Sequence, residues 1–487
     1  MSFSSDPNAQ PEPAGHSQPS RRRLLLQAGH GFGALALGDL LARAEPPESP
    51  PGLSPPHIHH PPKARRVIQL FMNGGASQID TFDYKPLLER WHGRTFDPGG
   101  GQRVESVTGS PGFRVLRSPF EFRRHGQSGR WISEVFPHLA KVVDRLAFIL
   151  SMHSPTNVHG IGSYLQTTGS VLPGFPCLGA WISYALGRPG ANLPDFVVLP
   201  DPRGLPYNNL GNFSSGFLPT RHQGTVVSAS ADPVPFLEPP DGYPALTPAS
   251  ESAGLRLLRS LNTSHLARWP GDPLLEGRIA AYEMAARMQL SVPELFALDG
   301  ESAAINPLYG LDDPQTADFG RRCLLARRMV ERGVRFVQVW SGPGGPKDNW
   351  DNHADIVTEL PFMTRQVDRP IAGLLCDLES RGLLEDTLVI WTTEFGRMPF
   401  SQGQAGRDHN GGAFVTWLAG AGIKPGATVG ESDEWGWKAQ RRISCHDLHA
   451  TLLHLLGIQH ELLTFPHNGF DRRLTDVHGT VLREILA

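Results

Sequence analysis

The sequence predicts an α/β protein built on a mostly parallel central sheet flanked by helices, and three observations predict it. Short apolar runs alternate with stretches of helical periodicity, the order that a parallel sheet with crossover helices requires. Several runs are apolar on successive residues, as strands covered on both faces should be. Gly 53 and Pro 44 among 487 residues imply long, rigid, turn-rich loops around the regular core.

Taken in chain order, the apolar runs place strands at 67–72, 146–151, 196–199, 334–340, 388–393 and 414–419. Helices are expected at 275–290, at 316–332 closed by Gly333, at 355–381 with a break near Pro370, and at 447–456 before Gly457. The chain around 200–310 reads as a long insertion between the third and fourth strands. Its Ser-rich part, 212–224, suits a pocket rim better than a reacting group. No internal repeat is present.

Ahead of the first strand, "SRRRLLLQAGHGFGALALGDLLARA" joins a basic run to a short apolar region and Ala42-Arg43-Ala44. This is the pattern of a twin-arginine export signal, so residues 1–44 are expected to be a signal peptide recognised by the export machinery. An amphipathic helix of the mature chain is disfavoured, because Gly29, Gly31, Gly33 and Gly38 would each weaken it by ~1 kcal/mol. Residues 45–63, rich in proline and carrying His57, His59 and His60, are expected to form an extended spacer with solvated histidines. Residues 64–487 then form the main domain. No later segment approaches the ~18 uninterrupted apolar residues of a membrane span, so none is expected in the mature chain.

Hydrophobic residues are 39%, charged residues 19% and the formal net charge is -3, so no field of one sign invites nucleic acid or an anionic membrane. Small or neutral partners are expected instead. Cys177, Cys323, Cys376 and Cys445 contain no C-x-x-C pair and read as mostly buried thiols.

In open parallel sheets, ligands collect beyond the carboxyl ends of strands, and here those positions are unusually polar. The first strand is followed by Asn73, Asp80 and Asp83, the second by His153, Asn157 and His159, and the fourth by Asp348, Asp351 and His353. Glu394 follows the fifth, and Asp408 and His409 precede the sixth. A divalent metal needs imidazole and carboxylate ligands from several segments at ~2.0–2.2 Å, and these strand ends offer them. Any one of these residues alone suits a helix cap, an Asx turn or a local hydrogen bond. The set points to a site. "SGPGGPK" lacks G-x-x-x-x-G-K-[ST] spacing, and Pro343 and Pro346 remove two donors, so it reads as a surface loop.

The blocks "LFMNGGASQIDTFDYKP", "TLVIWTTEFGRMP", "GRDHNGG" and "CHDLHATLLHLLG" resemble the signature blocks of the exported bacterial domain-of-unknown-function family 1501. That family is similar to the alkaline phosphatase and sulfatase superfamily. The resemblance implies an alkaline phosphatase/sulfatase-like fold with metal at the carboxyl edge of the sheet, and hydrolysis or transfer of phosphate or sulfate esters.

Residue by residue, the resemblance implies metal binding near the first strand by Asn73 and Asp80, and further on by Asp351 and His353. The superfamily's Thr-x-Asp-His-Gly motif is matched by Thr392, Thr393, Glu394, Phe395 and Gly396, so Glu stands for Asp and Phe for a histidine ligand. A further histidine ligand falls on His409, beside Asp408. Glu394 is expected as a metal ligand, with pairing to Arg397 as the alternative. The helix opened by Asp447 resembles the superfamily's Asp-Leu-x-Pro-Thr-Leu-Leu segment, with Ala450 in place of Pro. His449 and His454 sit on its leucine stripe and read as structural, while His446 and His478 stay open. The sulfatase nucleophile motif is missing: its position, ten residues before Gly169, is held by His159, which reads as a ligand first and a nucleophile second. Arg397 and Arg407 could neutralise charge on a sulfuryl or phosphoryl group, or only pair with carboxylates.

The resulting expectation is a metal-dependent hydrolase of sulfate or phosphate esters in the exported compartment. Its cofactor is a divalent zinc, manganese or calcium ion, and its substrate a small-molecule or carbohydrate ester. The alternative is a non-catalytic, metal-stabilised surface or carbohydrate-binding protein on the same fold.

Overall fold

A computed structural model describes residues 57–487 apart from 105, 107–112, 188–192, 230–247, 270–272 and 404, so the expected signal peptide and most of the spacer lie outside the described residues. The chain divides into two compact units, one of 1–53 with 244–270 and one of 54–243 with 271–487. In the first, the described part is the helix Pro248–Leu266 and its last turn.

The second unit is organised by an eight-stranded sheet. Its strands are β1 Arg66–Met72, β2 Leu146–Met152, β3 Phe196–Leu199, β4 Thr225–Val226, β5 Phe336–Ser341, β6 Thr387–Thr392, β9 Phe414–Gly420 and β10 Thr428–Val429. Between β6 and β9, β7 Gly396–Gln402 and β8 Gly406–Asn410 form an antiparallel hairpin. The order across the sheet is β10-β2-β9-β6-β1-β5-β3-β4. Neighbours run parallel except β9, which is antiparallel to both β2 and β6. The carboxyl ends of β1, β2, β5 and β6 therefore share one edge.

The helices used below are α1 His159–Thr168, α2 Leu178–Leu186, α3 Ala317–Glu331, α4 Ile356–Ser380 and α5 Cys445–Leu455. Alternation along β1 shows why its residues are apolar without a break. Ile68, Leu70 and Met72 pack with Phe319 and Leu324 of α3 and Leu360 and Leu374 of α4, whereas Val67 and Phe71 pack with Trp181 of α2 and Leu448 and Leu452 of α5. Each such side chain contributes ~1.5–3 kcal/mol by leaving water. Phe71 is stacked on Trp340 at 4.3 Å, and Phe71→Ala should cost ~3–5 kcal/mol.

The structure departs from the sequence expectation in three places. Helix α4 runs through Pro370 without a break. Its buried stripe of Leu360, Met363, Val367, Ile371, Leu374 and Leu378 outweighs the ~3 kcal/mol that an interior proline costs. Helix α1 is absent from the expected set; it starts at His159 and stops at Gly169, whose φ of 70° closes it in the left-handed region. Residues 57–60 are not free spacer: His57 N donates to Ala185 O at 2.7 Å, and His59 N and His60 N donate to Gly457 O at 2.8 and 3.1 Å. Among the described residues, no helix is long and apolar enough to cross a membrane.

Candidate metal centre

The loop after β1 must turn sharply, and Gly74 and Gly75 let it do so with φ of 121° and 78°. A side chain at Gly74 would put Cβ 2.6 Å from Asp351 N, and one at Gly75 would put it 2.7 Å from the Phe395 ring. The glycines thus allow the loops after β1, β5 and β6 to close on one another at the carboxyl edge.

Four side chains converge there: His159 at the start of α1, Asp351 and His353 in the loop after β5, and His409 on β8. One ligand atom from each lies within 4.8 Å of all the others. His353 Nε2 and His409 Nε2 are 2.7 Å apart, and lie 2.8 and 3.0 Å from Asp351 Oδ1. His159 Nε2 stands 3.3 Å from Asp351 Oδ2.

The partners of the other ring nitrogens decide the protonation. His409 Nδ1 faces Asn157 O at 2.7 Å, a carbonyl that can only accept, so Nδ1 carries the hydrogen and Nε2 a lone pair. His353 Nδ1 likewise donates to Gln402 Oε1, leaving its Nε2 as a lone pair. His159 Nδ1 donates to Glu394 Oε1 at 2.7 Å, and its buried Nε2 has no hydrogen-bond partner. Lone pairs of three imidazoles and one carboxylate therefore face each other. A single proton would satisfy one of these contacts, whereas a divalent cation would satisfy the group, so the donor set fits a metal.

The electrostatics agree. Burial pushes the Asp351 carboxyl up, but Arg397 and the three histidines more than reverse it and hold it far below the usual carboxylate range. Burial, helped by Arg397 and His159, lowers His409 to about 4, so its imidazole is neutral and free to bind. Burial also opposes charge on His159, yet the Asp351 carboxylate 3.3 Å away and the hydrogen bond to Glu394 raise its pKa on balance. Tyr207, flat on the His159 ring at 4.4 Å and 6°, is pushed up to about 12 by burial and by Asp351 and Glu394.

The remaining expected residues surround the centre at different depths. Glu394 is fully buried and stands behind His159, accepting from Gly74 N at 2.8 Å and Thr393 Oγ1 at 3.1 Å. That is the place of an orienting carboxylate behind a histidine ligand. Arg397 pairs not with Glu394 but with Asp351, through Nη2 at 2.6 Å, and donates to the carbonyls of Gly74, Gly75, Trp350 and Arg407. Asp80 lies outside the cluster, held by Arg407 at 2.6 and 3.0 Å and by Ser77 Oγ at 2.5 Å. Both arginines are fully buried and spend their donors on acids and carbonyls, the pairing alternative of the sequence reading. Asp408 also lies apart, accepting from Ser106 Oγ at 2.5 Å and from His409 N. Asn73 pins the loop after β5 through Gly342 O and Pro343 O.

The sequence reading missed Tyr207, Gln402 and the stacking role of Phe395, whose ring lies 4.9 Å from His159 and 4.8 Å from His409. Tyr207 and Gln402 carry no spacing signal, because only the folded loops bring them to the centre.

The family described as a protein of unknown function (DUF1501) matches residues 64–486, and the chain belongs to it. Solved structures that the chain resembles include sulfatases and an alkaline phosphatase. The PsFucS1 sulfatase from Pseudoalteromonas sp. is 14% identical, with 82% of this chain and 69% of that chain covered at a TM-score of 0.36. The alkaline phosphatase from the Antarctic bacterium TAB5 is 11% identical, with 77% and 95% covered at 0.28. The phosphonate monoester hydrolase SpPMH from Silicibacter pomeroyi is 13% identical, with 66% and 68% covered at 0.26. At these values none of them transfers its chemistry to this chain. Comparison with curated proteins gives no match.

Proposed function

We propose that this chain is a metal-dependent hydrolase of sulfate or phosphate esters, acting after export directed by residues 1–44. The convergence of His159, Asp351, His353 and His409 lone pairs at the carboxyl edge carries the reading. Three imidazoles and one carboxylate suit zinc or manganese better than calcium, which prefers oxygen ligands. A cation held there would supply Lewis-acid polarisation of an ester oxygen and acidify a water.

The chain's own residues prepare the place. Glu394 fixes the His159 tautomer, Arg397 holds Asp351 ionised, and Tyr207 and Phe395 wall the His159 ring against water. A cavity of about 360 Å³, lined by Asp351, Asn349, Asn352 and Lys347, gives access beside Asp351. His159 serves as a ligand rather than a nucleophile in this reading, because its Nε2 faces Asp351.

A second reading, a non-catalytic metal-stabilised binding protein, is favoured by one observation: Arg397 and Arg407 are saturated and cannot reach a substrate as they stand. Metal content by mass spectrometry, followed by turnover of para-nitrophenyl sulfate and para-nitrophenyl phosphate, separates the two. Stoichiometric metal with turnover that Asp351→Ala abolishes supports the hydrolase. Stoichiometric metal without turnover of any ester supports the binding protein. Replacing Arg21 and Arg22 by lysine should retain the protein in the cytoplasm, and unchanged export would remove the twin-arginine reading.

A further inference from the structure

The cavity beside Asp351 does not stand alone. It shares Thr358 and Phe362 with a second cavity of about 750 Å³, which in turn shares Pro202 and Asp318 with a third of about 320 Å³. The second follows the first turns of α4 from Thr358 to Gln366, about 12 Å at 1.5 Å per residue. The second cavity by itself lies within the usual range of ligand sites, so the three together exceed what one small ester needs.

The groove's lining has a definite chemistry. Its floor is apolar, made by Pro202, Pro314, Pro361, Val357 and the ring of Phe362, with Val357 and Phe362 each 50% exposed. Gln315 and Gln366 edge this floor with amides, and Arg203 stands over the Phe362 ring at 6.0 Å. Arg203 is locked there by the buried Asp201, through bonds of 2.8 and 2.7 Å. An apolar face bordered by amides and guanidinium groups matches a sugar ring, which has a C–H face and a hydroxyl rim.

The charges choose among sugars. Asp318 is neutralised by Arg322 at 2.6 Å, and Arg203 by Asp201. Arg365 in the second cavity and Arg321 in the third are exposed and have no carboxylate partner among the described residues. Asp348 and Glu359 are confined to the first cavity, where Lys347 also lies, so beyond Phe362 the unpaired charges are positive.

We infer that the groove is an extended subsite for an anionic oligosaccharide, several sugars long, lying along α4 with one end at Asp351. This rests on the ester-hydrolase reading for what happens at the centre, but the groove binds whether or not the ester is cleaved. Phe362 is the stacking platform, and Arg365 and Arg321 read acidic substituents along the chain.

The test is calorimetric binding of a sulfated disaccharide, tetrasaccharide and octasaccharide to the full chain, with Phe362→Ala and Arg365→Glu as variants. Affinity should rise about tenfold or more from the disaccharide to the octasaccharide. Each substitution should weaken the octasaccharide about tenfold with the metal content unchanged, and Arg365→Glu should leave the disaccharide unaffected. Both sites are exposed on a helix, so both variants should fold. Affinity independent of length, or variants that bind the octasaccharide as the wild type does, would overturn the inference. Single-stranded DNA of matched charge binding as tightly would also overturn it, since the groove would then read charge without sugar. Length-dependent binding without turnover would leave the groove standing and remove the hydrolase. Turnover of small esters without length dependence would do the reverse.

Discussion

Two clusters of charged and titratable residues in this fold behave in opposite ways. Between the helices, Arg327, Arg328 and Arg381 face Glu301, Glu331 and Asp377, with Arg327 at 2.7, 2.8 and 2.9 Å from its three acids. Tyr309 Oη adds a bond of 2.9 Å to Asp377. Every charge there has its opposite. At the carboxyl edge, by contrast, three imidazoles surround one carboxylate that Arg397 already neutralises, and four lone pairs are left facing inward. Burial of charge alone therefore marks no site; a surplus of one kind of group does. The first group explains itself as structure. The second needs a guest.

The comparison can be broken most severely at Asp351. Asp351→Asn should lose metal altogether while keeping its shape, and a metal content equal to wild type would contradict the assignment. In the matched network, Arg327→Met should leave the metal content untouched and cost ~3–5 kcal/mol in chemical denaturation, because it takes a buried guanidinium from three acids at once. A loss of metal in that variant would erase the distinction between the two regions.

A buried histidine outside both groups sharpens the contrast. His449 is fully buried, with Nε2 3.0 Å from Gln166 O, and burial lowers its pKa to about 3. Its unfolded form binds a proton below about 6.5 while the folded form does not, so stability is lost as pH falls from about 6.5 towards 3. The share owed to this residue reaches about 4 kcal/mol at the acid end. His449→Leu should flatten the stability profile in that window. An unchanged slope would show that His449 is not buried neutral. The smallest effect is expected at Glu394, which in the proposed centre orients His159. Glu394→Gln should weaken metal binding about 10–100-fold rather than abolish it.

Much of this was legible in the sequence, for identifiable reasons. Six strands announce themselves by apolar runs, because a sheet covered on both faces leaves no polar alternation to confuse them. All four members of the cluster stood at strand-adjacent positions and could be named. Their depth could not. Glu394 and Asp351 look alike as isolated carboxylates near strand ends, and only the fold separates them: the hairpin β7–β8 brings His409 and Arg397 to Asp351, while Glu394 is held behind His159. That hairpin is itself hard to foresee, since Pro399 lies inside β7 and its strands carry the charges of "GRDHN". The run of α4 through Pro370 escaped for a different reason: local propensity marks a break there, and tertiary burial overrides it.

The most direct measurement is anomalous X-ray diffraction from crystals of the zinc-loaded full chain. The account predicts one peak within ~2.0–2.2 Å of His159 Nε2, His353 Nε2, His409 Nε2 and an Asp351 carboxylate oxygen, with Glu394 outside the coordination sphere. A peak at Asp80 or Asp408 instead, or no ordered zinc at saturating concentration, would contradict it.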